Sequence, residues 1–112
     1  MDSPEPIKRI KRSLRELSER AYAEVLSREL AKLQESFQSW RAGELSPFDL
    51  GEEIHRFHQG PNRKLYIYYT SSSHHESDVA EAIIEGLIPE SAVPEEVRRY
   101  LAPWIERLQK KP

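Results

Sequence analysis

Apolar residues in the first forty positions recur three and four apart, at Ile7, Ile10, Leu14, Leu17 and Ala21. The pattern resumes at Tyr22, Leu26, Leu30, Leu33, Phe37 and Trp40, displaced by one position. A repeat of this kind keeps one face of a helix apolar and predicts a helix from about residue 5 to about residue 41. Ser3 is suited to N-cap it, and Pro4 and Pro6 fall in the first turn, where a missing N–H costs little. Gly43 is placed to stop it, and Arg41 complements the negative end. The displacement near Ala21–Val25 divides the helix into two coiled-coil-like stretches, altering the supercoil locally without ending the helix. On its outer faces Glu16 and Arg20 form an attractive i,i+4 pair, and Arg28 and Lys32 a repulsive one.

A rod of roughly 35 helical residues is about 50 Å long. A compact monomer of this chain length has a diameter of about 35 Å. The remaining residues, folded as a ball, would leave part of the apolar stripe bare. Either the helix breaks near the displacement or a second copy covers the stripe; the expectation is a homodimer.

Shorter helices follow. Ser46 is an N-cap with Pro47 at the first helical position and Asp49 three residues on, ahead of the stripe Leu50, Ile54 and Phe57. Gly60-Pro61 is expected to end this helix and begin another, as a tight turn in which Gly60 supplies a positive φ. The segment after it, rich in Tyr66, Tyr68 and Tyr69, has the propensity of a strand. Helix is expected because no second strand exists to satisfy its backbone. Ser71 to His75 reads as a polar loop. Ser77 caps the next helix, with Val79, Ala82, Ile83 and Leu87 inward. The last starts at Pro94 and buries Val97, Tyr100, Leu101, Trp104, Ile105 and Leu108, with Pro103 outward. The expected fold is all-α: the long helix (about 5–41) and four shorter helices (about 47–59, 61–71, 77–88 and 94–109) packed as a bundle. The chain is read as a single domain over 1–112, with the long helix in 1–42 and a helical hairpin and C-terminal helices in 44–112.

Composition narrows the partners. Charged residues make up 32% of the 112 residues and hydrophobic ones 38%, a balance suited to a helical protein with much surface. A net charge of −2 gives no global attraction to nucleic acid or anionic membrane. The absence of cysteine excludes disulfides and thiolate metal sites and fits a cytoplasmic location. No apolar run approaches the ~20 residues of a membrane span, and no signal-like h-region follows the charged start.

Candidate chemistry is sparse. Glu52 and His55 have the Glu-x-x-His spacing of carboxylate-bridged metal bundles. With Leu50 at 0°, however, they fall at about 200° and 140°, away from the apolar stripe, so no metal is assigned. His58 borders the stripe at about 80°. It is either a general base, with His55 and Glu52 or Glu53 beside it, or a cation complementing a helix end. Arg63 and Lys64 follow Pro61 and would flank an anion at a helix N-terminus. Lys8, Arg9, Lys11, Arg12 and Arg15 form a basic face that contacts phosphates or pairs with acidic residues of a neighbour, the second being the commoner arrangement. No P-loop, dinucleotide glycine pattern, zinc-protease motif or nucleophile elbow is present, so no cofactor is expected.

The stretch Ile54-His55-Arg56-Phe57-His58-Gln59-Gly60-Pro61-Asn62-Arg63-Lys64-Leu65-Tyr66, preceded by Ser46-Pro47-Phe48-Asp49-Leu50, resembles small bacterial helical proteins carrying an I-H-x-F-H-x-G-P-x-R-x-L-aromatic segment. The resemblance implies a bacterial cytosolic protein with a helical hairpin, and no activity. The expected function is a non-enzymatic helical interaction or regulatory module acting as a homodimer, with Lys8, Arg12, Tyr22, Leu26, Phe37 and Trp40 at its contacts. A protein partner is admitted and a membrane is not. The alternatives are a small enzyme or metal-binding protein using Glu52, His55 and His58, and a nucleic-acid binder through the basic face, which the charge balance disfavours.

Overall fold

A computed structural model of the chain describes residues 5–71 and 75–110, and the side chains from Ile7 onward. Ser3 and His74 lie outside the described residues. The elements are α1 (Glu5–Arg41), α2 (Pro47–Phe57), a π-helical turn (His58–Asn62), α3 (Arg63–Thr70), α4 (His75–Ile84), a 3-10 turn (Glu90–Ala92) and α5 (Glu95–Gln109). The described residues contain helices and no strand, in keeping with an all-α fold.

Helix α1 runs unbroken for 37 residues and does not fold back at the displaced stripe. The chain divides into two compact units, Met1–Ala21 with Ser73–Pro112, and Tyr22–Ser72. The division inside α1 falls between Ala21 and Tyr22, where the apolar stripe changes phase. A shift of one residue turns the apolar face by about 100°, so each stretch serves its own set of neighbours.

The first unit holds a closed core. Leu14, Leu17 and Ala21 of α1 are buried, as are Val79, Ala80 and Ala82 of α4, Ile88 and Val93 of the connection, and Val97 and Leu101 of α5. Ser18 is the one polar side chain of α1 buried among them in the described residues, and Asp78 is buried in the first turn of α4. A carboxylate there complements the positive end of the helix. Pro103 lies within α5 and is exposed, as its place on the outer face requires. The Arg98 guanidinium donates to the carbonyl of Glu90 at 3.0 Å, tying α5 to the 3-10 turn.

In the second unit Leu50 is the sole buried hydrophobic residue among those described. Tyr22 of α1 stacks on Tyr69 of α3 with centroids 5.0 Å apart and planes 5° from parallel. Tyr68 meets Tyr69 edge-on at 4.8 Å. The hydroxyls of Thr70 and Ser71 donate to the carbonyls of Tyr66 and Ile67, closing the end of α3.

Three local expectations meet their geometry. Ser46 Oγ accepts the N–H of Asp49 at 3.0 Å, so it caps α2. Gly43 stands at φ 80° beyond α1, with Gly43 N–H donating to Trp40 O and Glu44 N–H to Ser39 O. That pair of bonds is a Schellman motif, and it satisfies carbonyls the helix leaves free. The segment after Pro61 is helix, as the lack of a partner strand requires.

Three others differ. Gly60 has no positive φ, and Gly60-Pro61 does not separate two helices by a tight turn. The chain passes from α2 to α3 through one π-helical turn containing Pro61. A widened turn accommodates a proline that in an α-helix would clash with the carbonyl four residues back. Next, α4 starts at His75, so that residue belongs to a helix rather than to the polar loop, and Ser77 lies inside the first turn. Finally, α4 ends at Ile84 and not near Ile88, because Gly86 adopts φ 75° and forms a second Schellman motif, with Gly86 N–H donating to Ile83 O and Leu87 N–H to Ala82 O.

Candidate functional site

The histidine and carboxylate cluster of α2 does not assemble into a site. Glu52, His55 and His58 are all exposed. A cleft of about 370 Å³ in the second unit is lined by Glu29, Leu33 and Ser36 of α1 with Glu53, Arg56 and Phe57 of α2, and takes in none of those three. Among the described residues no three His, Asp or Glu side chains stand close enough to hold a metal ion. Arg63 and Lys64 are exposed at the start of α3. That start is not a free helix end, since the π turn precedes it and the N–H of Arg63 is bonded to Gly60 O. The anion site expected there lacks the unsatisfied N–H groups it relies on.

The basic face of α1 is divided between two roles. Arg9 forms a bidentate pair with Glu96 of α5, its Nε and Nη2 donating at 2.7 and 2.8 Å. The Arg9 guanidinium, through that hydrogen bond, holds the Glu96 carboxyl below its ordinary range. Lys8, Lys11, Arg12 and Arg15 instead line a cavity of about 450 Å³ in the first unit, with Leu14, His75 and Glu76. None of these four cations has an ion pair among the described residues. The Nδ1 of His75 is buried without a hydrogen-bond partner among the described residues. Glu76 accepts from the Tyr100 hydroxyl at 3.4 Å. Burial first, and then the charge of Glu76, raises the Tyr100 hydroxyl above its usual range. Tyr100 in turn stacks on Trp104 at 5.3 Å. The basic spacing of α1 identifies Lys8 and Arg12, whereas His75 falls in a stretch that reads as polar loop and Glu76 stands out by no spacing of its own. The missed signal was Glu76-x-Asp78, acidic residues enriched in a helix's first turn.

The remaining interaction candidates lie in the second unit. Tyr22 is taken up by its stack on Tyr69, and Leu26 is half-buried. Leu30, Phe37 and Trp40 are 46%, 39% and 40% exposed. Helical geometry explains why. With Leu26 at 0° and about 100° per residue, the apolar stripe Leu26, Leu30, Leu33, Phe37 and Trp40 centres near 0°. The covered residues Tyr22, Val25, Glu29, Leu33 and Ser36 centre near −60° on the same wheel. Half the stripe is therefore left outside. Next to Leu30 and Phe37, between about 60° and 140°, come Ala23, Gln34, Ser27, Gln38 and Ala31, all exposed and all uncharged. Arg41, at about 60° on the same wheel, is the one charge in this sector and stands at its C-terminal end; the other charges of the stretch are elsewhere. Arg28 pairs with Glu24 at 3.0 Å and Lys32 with Glu29 at 3.3 Å, so the expected repulsion between Arg28 and Lys32 is offset by a carboxylate for each. A shallow apolar depression of about 220 Å³ lies among Leu30, Leu33, Gln34 and Phe37.

Comparison of the chain with family models, with curated proteins and with solved structures gives no significant match. Among the described residues no helix is long and apolar enough to cross a membrane.

Proposed function

We propose that this protein is a non-enzymatic helical interaction module that pairs with a second copy of itself through the uncharged face of α1 in its second unit. The observation that carries the reading is the exposed strip around Leu30 and Phe37, flanked by Ala, Ser and Gln in a chain whose residues are 32% charged. Interface centres are depleted of charge, and the strip matches that composition. A neutral strip also favours a twofold partner over a foreign one. Two copies apposed antiparallel set uncharged residues against uncharged residues from Ala23 to Gln38, and leave Arg41 at the rim, where it need not be desolvated. A foreign partner would ordinarily be selected by complementary charge, which this face does not offer. The strip from Ala23 to Gln38 runs for roughly 24 Å, enough for a two-helix seam with Phe37 and Leu30 inserting across it. The exposure of Glu52, His55 and His58 argues in the same direction, away from chemistry. A cytosolic location belongs to the same proposal, supported by the lack of cysteine in the sequence.

Size-exclusion chromatography with light scattering tests the pairing. The wild type is expected at twice the chain mass at micromolar concentration, and Leu30→Glu with Phe37→Glu at the chain mass with helical circular dichroism retained. A wild-type monomer at every concentration, or a double variant that stays paired, would sink the reading.

A further inference from the structure

The cavity on the basic side of the first unit is unexplained by self-pairing, and its lining is specific enough to name a ligand class. We infer that it binds a phosphorylated small molecule of nucleotide size.

Lys8, Lys11, Arg12 and Arg15 are spaced i, i+3, i+4 and i+7, so they share one face of α1 over two helical turns, about 10 Å. That length serves more than one phosphoryl group. Arg12 and Arg15 carry planar guanidinium forks that match phosphate oxygens in pairs, and Lys8 and Lys11 add mobile point charges. Against these four cations the described lining has one carboxylate, Glu76, so the cavity is strongly positive. None of the four is neutralised within the described structure, whereas Arg9, one residue from Lys8, is. A solvated face that existed only to pair with acidic neighbours would not separate its members in this way.

The cavity is also more than an electrostatic patch. At about 450 Å³ it lies in the range of small-ligand pockets and exceeds what a bare phosphate fills. Leu14 beneath it is buried, and the methylene stems of the lysines and arginines offer the apolar surface for a ring or sugar. The Glu76 carboxylate is an acceptor for hydroxyl or amino groups, and it disfavours a ligand that is phosphate throughout. His75 lies beside Glu76 in the lining, its Nδ1 buried and without a hydrogen-bond partner among the described residues. Nucleic acid fits less well: the four cations span only about 10 Å of α1, in a chain of net charge −2.

Isothermal titration of the full chain with ADP, pyrophosphate and adenosine tests the inference. ADP is expected to bind saturably, pyrophosphate more weakly, and adenosine without detectable heat. Arg12→Ala, a change at an exposed residue, weakens ADP by about tenfold and leaves the melting curve in place, whereas Arg28→Ala in the other unit leaves ADP binding unchanged. Glu76→Gln, which removes the opposing carboxylate, tightens pyrophosphate. Lack of saturable ADP binding overturns the inference, as does equal weakening by Arg12→Ala and Arg28→Ala. So does an oligonucleotide that binds where ADP does not. The inference stands or falls independently of self-pairing, because no residue of the strip lines the cavity.

Discussion

The two units share one helix and treat it differently. From Leu14 to Ala21, α1 sinks Leu14, Leu17, Ser18 and Ala21 into a core closed by α4 and α5. From Tyr22 onward the same helix leaves Leu30, Phe37 and Trp40 exposed, and the second unit buries only Leu50 fully among its described hydrophobic residues. Both stretches have the same repeat and similar apolar residues. The difference lies in what covers them. In the first unit the covered sector coincides with the apolar stripe. In the second it is rotated from the stripe by about 60°, so coverage and hydrophobicity fall out of step. A surplus apolar edge of this kind is what the proposed pairing would cover.

The contrast breaks most sharply by truncation. Leu101→Ala, at a residue with 0% exposure, should cost about 2–5 kcal/mol in urea denaturation, because it removes transfer energy and leaves a cavity. Leu30→Ala, at 46% exposure, should cost less than about 1 kcal/mol when measured at concentrations too low for pairing. Equal costs would mean that the second unit is as closed as the first.

A smaller effect probes what the units have in common. Gly43 and Gly86 both have left-handed φ beyond a helix, and nothing lies within 4 Å of where a Cβ would stand at either. Gly43→Ala and Gly86→Ala should each cost about 1 kcal/mol from backbone strain alone. A much larger loss at Gly86, read by thermal melting, would show the first unit to be coupled to that turn through packing.

The smallest effect is electrostatic. Glu96 has its carboxyl lowered by the Arg9 hydrogen bond, so its contribution is fully present above the unfolded value near 4.3 and is lost as pH falls through the lower folded value. Carbon-detected NMR titration should place Glu96 below the other glutamates in the wild type and return it toward them in Arg9→Gln. The pair is exposed, so the accompanying change in stability should be slight and should fade with salt. An unshifted Glu96 in the wild type would remove the pair as a feature of the folded first unit.

Parts of this architecture were readable from residues whose effect is local. Gly43 stops α1 and Ser46 caps α2 because each acts on its own turn through φ or one hydroxyl. Gly86 was equally readable, yet the continuing pattern through Leu87 and Ile88 masked it: those residues are apolar because they enter the core after the helix has ended, Ile88 at 1% exposure. The π turn was not readable, since Gly60-Pro61 satisfies a tight turn and a widened helix alike. The gathering of His75 and Glu76 with Lys8 and Arg12 was beyond any local rule, for those residues are more than sixty positions apart.

The sequence by itself determined that the chain is helical, where α1 stops and α2 starts, and that the stripe on α1 changes phase near Ala21. Period, capping and propensity act within a few residues, and the side chains that express them are neighbours along the chain. Only the tertiary structure decided which part of the stripe is covered and which four cations surround a cavity. Both depend on the direction from which distant elements approach α1, and a helix that is apolar on one face carries no information about who arrives there.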